Sequence, residues 1–207
     1  MIEDNGVESN ARMTGVLGAV LLVALAIEGV TVPAVRQMLT LHVFMGFFVV
    51  PVVGLKLATT GYRFFRYYQG AEPYRRKGPP HPVLRVVAPL VVVTTLALLG
   101  TGIVMLAVGP RHSDTWRTLH QASFIAWFAF MTIHVLGHAL ETWRLTVSEL
   151  NAKPRLSQRR IRIALAVGSL AIGLALAIAS TGWIDAWKNR PPEHARRTTP
   201  ELVLPHR

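Results

Sequence analysis

The chain has 207 residues, of which 51% are hydrophobic and 16% are charged. This composition is more apolar and less charged than that of an ordinary soluble domain, and the mean hydropathy of +0.37 agrees with it. The absence of cysteine excludes disulfides, thiolate-bound iron–sulfur clusters and thioether-attached haem. The net charge of +11 does not indicate nucleic-acid binding, because Lys and Arg accumulate in the cytoplasmic loops of membrane proteins.

Five apolar segments are each long enough to cross about 30 Å of hydrocarbon as a helix. They cover residues 14–35, 38–60, 84–108, 118–142 and 161–184. We therefore predict an all-α, polytopic transmembrane bundle of five spans over residues 14–184, with the lipid bilayer around it. The acidic segment 1–13 lacks the basic start of a cleavable signal peptide, so it is predicted as a cytoplasmic tail, and 185–207 as a flexible extracytoplasmic tail.

Basic residues between the spans predict the orientation of the bundle. Ten lie in the links between spans two and three and between spans four and five, and Arg85 and Arg162 lie at the starts of the spans that follow. Three lie in the two links on the opposite side. Positive residues favour the cytoplasmic side, so the N-terminus is predicted inside and the C-terminus outside. The basic C-terminal tail favours the reverse orientation, but more weakly than the short links do.

Four of the eight histidines fall within the predicted spans, where an ionisable side chain is costly enough to indicate a function. His120 and His134 in span four are 14 residues apart, on one helix face and separated by about 21 Å of rise. His42 in span two lies at a depth similar to that of His120, because spans two and four run parallel. A haem b with two axial imidazoles fits between His42 and His120 near the outer surface. Gly46, one turn after His42, either leaves room for the porphyrin or serves helix packing.

The inner level of the predicted site is less regular. Fourteen residues after His42 the sequence has Lys56 and not a second histidine. Three interpretations are open: Lys56 is, with His134, a ligand of an inner haem; it pairs with a propionate while His134 alone binds iron; or it extends to the cytoplasmic surface and no inner haem exists. His138, one turn after His134, could replace His134 as the ligand.

Spans two to four resemble the bacterial four-helix cytochrome b group, which includes b561-type and hydrogenase-type cytochrome b subunits. The resemblance covers roughly residues 38–145 and rests on Leu41-His42-Val43-Phe44-Met45-Gly46, Leu119-His120 and Ile133-His134-Val135-Leu136-Gly137-His138. The stretch from Thr59-Thr60-Gly61-Tyr62-Arg63-Phe64 through Gly78-Pro79-Pro80 is also similar to uncharacterised integral membrane proteins of actinobacteria. Lys56 departs from the paired-histidine pattern of the family.

The resemblance implies one or two non-covalent haems b in a bacterial cytoplasmic membrane. It also implies one-electron transfer between a quinone or redox partner and another oxidoreductase, by an electron-transfer subunit rather than a stand-alone catalyst. His42, His120 and His134 are the expected iron ligands, and Lys56 is a further cofactor contact. Two alternatives stay open, a non-redox scaffold or assembly subunit and a His-lined ion transporter, and the oligomeric state is open as well.

Overall fold

The computed structural model describes residues 2–76, 82–151 and 156–188, and within them it contains six α-helices and no strand. The helices are α1 (Ile2–Thr31), α2 (Leu39–Tyr68), α3 (Glu72–Arg76), α4 (Pro82–Val108), α5 (Asp114–Asn151) and α6 (Leu156–Lys188). All except the short α3 are long and apolar enough to cross a membrane. The predicted all-α chain with five candidate spans is therefore confirmed.

The helices extend beyond the apolar segments from which they were predicted. Helix α1 begins at Ile2, so most of the segment predicted as an N-terminal tail is helical and continuous with the first span. Helix α2 continues to Tyr68 and helix α5 to Asn151. A hydropathy pattern identifies only the apolar part of a helix, the part that can lie in hydrocarbon. The helical hydrogen bonds of the backbone can continue beyond it into polar sequence, so a helix can be longer than its apolar segment. Residues 189–207 of the predicted C-terminal tail lie outside the described residues.

The apolar segments are helical because, in hydrocarbon, every backbone N–H and C=O must be bonded within its own segment.

Short links join the helices and bring the ends of neighbouring helices together. Residues 32–38 turn the chain from α1 into α2, and residues 109–113 turn it from α4 into α5. Gly109 in the second link has a φ of +75°, a left-handed conformation that glycine adopts without strain. These two links bring the ends of four helices to one end of the bundle.

The backbones of helices α2 and α5 lie apart, although side chains of the two helices meet. Both α1 and α4 contact α2 and α5, and α6 packs along α2. The Cα atoms of α2 and α5 stay more than 8 Å apart throughout the described residues. A cluster of buried apolar side chains joins α1 to α2: Met13, Leu17, Leu21, Ala24, Met45, Val49 and Val52. The bundle therefore leaves a gap between α2 and α5 that only side chains can bridge.

Two glycines allow the closest helix contacts. A Cβ atom at Gly173 of α6 would overlap the backbone carbonyl of Phe48 in α2. A Cβ atom at Gly137 of α5 would lie 2.5 Å from Leu84 Cδ2 of α4. Small residues let membrane helices approach closely. Gly173 limits the spacing of α2 and α6 because it meets backbone, whereas the Leu84 side chain opposite Gly137 can move aside.

Candidate functional site

His42 is held by the end of α1. It lies in the first turn of α2, next to the link 32–38. Its Nδ1 atom is 2.9 Å from Glu28 Oε1 and 2.8 Å from Thr31 Oγ1. The Thr31 hydroxyl donates to the backbone carbonyl of Glu28 at 2.6 Å, which leaves its oxygen free to accept from the imidazole. A Glu28 carboxylate accepts as well, so a proton on Nδ1 of His42 meets both oxygens, and Nε2 lies outside these contacts.

His120 is held in the same way by α4. Its Nδ1 atom is 3.1 Å from the backbone carbonyl of Leu98 and 3.2 Å from Thr101 Oγ1. A carbonyl oxygen can only accept, so Nδ1 carries the proton and Nε2 keeps its lone pair. A Cβ atom at Gly102 would lie 3.0 Å from His120 Cε1, so the absence of a side chain at Gly102 makes room for the ring.

The two imidazoles bridge the gap between α2 and α5. Their ring centres are 6.4 Å apart, and their planes are nearly perpendicular at 87°. An imidazole nitrogen binds a first-row metal at about 2.0 Å, so two rings on opposite sides of one ion have centres about 6 Å apart. A metal–imidazole bond lies in the plane of its ring, so perpendicular planes are compatible with one shared axis. His42 and His120 therefore fit the two axial positions of a haem iron.

The predicted inner level holds Lys56, His134 and His138. The ring centres of His134 and His138 are 4.9 Å apart on α5, with their planes 58° apart. Lys56 Nζ donates to the backbone carbonyl of Thr14 on α1 at 3.0 Å, and Lys56 lies within electrostatic range of His134. His134 Nδ1 is buried without a hydrogen-bond partner among the described residues. The ring orientation of His134 is thus not set by a neighbouring helix in the way that those of His42 and His120 are.

Sequence reasoning missed four residues that position the histidines. They are Glu28, Thr31, Thr101 and Gly102. A carboxylate within a span is costly and is a functional candidate for that reason, so Glu28 carried a usable signal. The threonines and the glycine carried none, because small and hydroxyl residues are common in membrane helices.

The His42–His120 pair provides two imidazoles that could hold an iron ion from opposite sides. In a haem the porphyrin supplies four nitrogen ligands, and the protein supplies the others. Within residues 2–76, 82–151 and 156–188 no group of three or more His, Cys, Asp or Glu side chains is placed to hold a metal ion.

Comparisons with family models, with curated proteins and with solved structures found no match to this chain. Its class is defined by its own structure, an all-helical protein with five helices long and apolar enough to cross a membrane.

Proposed function

We propose that this protein is a membrane-embedded b-type cytochrome that carries single electrons, with a haem b held between His42 and His120. One observation carries the proposal. The two imidazoles come from facing helices, their centres lie 6.4 Å apart, and each is held through Nδ1 by a further helix. This arrangement presents two imidazoles at a ring spacing that suits one iron ion. The sequence resemblance to the four-helix cytochrome b group supports the same proposal.

In this proposal the residues of the chain would hold and orient the haem, and the haem would supply the redox chemistry. Haem b supplies reversible one-electron transfer at its iron. Helices α1 and α4 fix the tautomer and direction of His42 and His120, as acceptors behind metal-binding histidines commonly do. If His42 and His120 both held the iron, no position on it would be left for a substrate, which favours an electron carrier over a catalyst. A quinone or a redox protein is the proposed partner.

The proposal places the protein in the cytoplasmic membrane of a bacterium, with the N-terminus inside. The distribution of basic residues between the spans supports this orientation. The His42–His120 pair is then near the outer surface, at the end of the bundle formed by the links 32–38 and 109–113. Arg36 and Arg111 lie exposed in these links and suit the carboxylates of haem propionates.

A difference spectrum of the purified full chain tests the proposal. The protein is expressed with haem supplementation, and the dithionite-reduced minus oxidised visible spectrum is combined with pyridine haemochrome quantification. We expect one or two haems b per chain. About one haem assigns binding to His42 and His120, and about two adds the level of His134. A chain without haem after supplementation would contradict the proposal and leave the scaffold and the transporter.

Variants of Lys56 and His134 test whether a second, inner haem exists. If the wild-type chain binds two haems, His134→Ala is expected to remove one and to leave the spectrum of the other unchanged. Lys56→Met is expected to spare the haem at His42 and His120 and to shift the spectrum or midpoint potential of the inner one. Wild-type spectra and potentials throughout in Lys56→Met would instead limit Lys56 to its contact with Thr14 on α1.

A further inference from the structure

The two histidines are held alike in geometry but differently in charge. The Nδ1 atom of each ring donates to one threonine hydroxyl oxygen, that of Thr31 for His42 and that of Thr101 for His120. The second acceptor differs, because His120 faces the neutral carbonyl of Leu98 whereas His42 faces the carboxylate of Glu28. One proposed axial ligand is therefore backed by a formal negative charge and the other is not.

Glu28 has the surroundings of a functional carboxylate. Its side chain is 17% exposed, and Oε2 is buried without a hydrogen-bond partner among the described residues. Thr31 and Glu28 are adjacent turns of the same helix end, so the hydroxyl alone could have oriented His42. A carboxylate placed in a span costs far more than a second neutral acceptor would. Orientation of His42 does not by itself account for that cost.

The carboxylate also lies beside α2 one turn after His42. A Cβ atom at Gly46 would be 3.9 Å from Glu28 Oε1. Glu28 is thus close to both His42 and the next turn of α2. In surroundings of low dielectric constant its charge acts strongly on nearby groups.

From these contacts we propose that Glu28 is a positioning residue that acts through His42 to lower the reduction potential of the bound haem. The inference rests on the proposed function. A carboxylate at Nδ1 withdraws the ring proton and makes Nε2 a stronger donor, as in carboxylate–histidine–metal triads. Stronger donation and nearby negative charge both favour the ferric over the ferrous state. His42 is thereby the stronger donor of the two proposed ligands.

Redox titration of purified full-length variants tests the inference. Glu28→Gln keeps an acceptor for Nδ1 but removes the charge. We expect it to retain haem and to raise the ferrous-to-ferric ratio at a fixed ambient potential about tenfold, which is about 59 mV for a one-electron couple. Glu28→Asp keeps the charge and is expected to stay closer to the wild-type potential. The electron paramagnetic resonance spectrum of the oxidised haem is expected to change in Glu28→Gln as well, because the donor strength of His42 changes.

Asp185→Asn is the matched control. Asp185 is exposed in the last turn of α6, on the side of the membrane proposed for Glu28, so its loss removes the same charge without touching His42. An equal shift in both variants, or no shift in Glu28→Gln, overturns the inference. If Glu28→Gln loses its haem but Glu28→Asp retains it, the result supports a role for the negative charge. If both variants lose their haem, Glu28 contributes only to packing and the inference is overturned. A wild-type chain without haem overturns the proposed function itself, which is a distinct result.

Discussion

His42→Ala and His120→Ala are each expected to remove the haem between α2 and α5, with the loss of its reduced-minus-oxidised absorption bands. His42 and His120 would hold the iron from α2 and α5, so the loss of either imidazole removes one of the two bonds that the protein would contribute. The measurement is haem per chain by pyridine haemochrome, with helix content by circular dichroism to show that the bundle still folds. Free imidazole is expected to restore part of the spectrum to His120→Gly, because it can enter the space left by the ring.

His112→Ala provides the control for this experiment. His112 is exposed in the link between α4 and α5, at the same end of the bundle, and it has no place in the proposed site. It is expected to bind haem as the wild-type chain does. Wild-type haem content in both His42→Ala and His120→Ala would contradict the assignment of these residues as ligands.

Gly173→Ala is expected to destabilise the bundle by about 1–3 kcal/mol, a typical cost of overpacking. The new Cβ atom would meet the backbone carbonyl of Phe48, and a backbone atom can move only if α6 separates from α2. Gly173→Leu is expected to have a larger effect, because its longer side chain requires a wider separation. Thermal unfolding in detergent, followed by circular dichroism and by loss of soluble protein, measures the change.

Gly168→Ala on the same helix isolates the contact from the effect of adding a methyl group. A Cβ atom at Gly168 meets no other atom within 4 Å. This variant is expected to be neutral or to gain up to about 1 kcal/mol, since alanine is the better helix former. Equal melting temperatures for Gly168→Ala and Gly173→Ala would show that the α2–α6 contact is looser than the structure indicates.

The sequence alone predicts the level of each site histidine along the helix bundle. Helices rise by a constant amount per residue, so counting from the span starts places His42 and His120 at one level. Lys56 falls at the level of His134 by the same count, and this placement stays a prediction. Depth depends on spacing along the chain, which the sequence contains directly.

The contacts around the histidines were not predictable in this way. Glu28 meets His42 because the link 32–38 turns α1 back at a particular angle and rotation. The carbonyl of Leu98 meets His120 because Gly102 lets α4 approach the ring closely. Rotation and crossing angle depend on how two whole helix surfaces fit together, and no local pattern encodes that fit.

The sequence by itself determined the membrane class, the five spans and the level of the paired histidines. Each of these depends on hydropathy or on a fixed rise per residue. Only the tertiary structure decided that α2 and α5 stand apart with two imidazoles between them, and that Glu28 backs one imidazole while a neutral carbonyl backs the other. In a bilayer the lipid tails are as apolar as the helix surfaces, so burying an apolar surface against another helix gives no hydrophobic gain. Helix partners are therefore chosen by shape and by hydrogen bonds between side chains. These features appear only when the helices are packed.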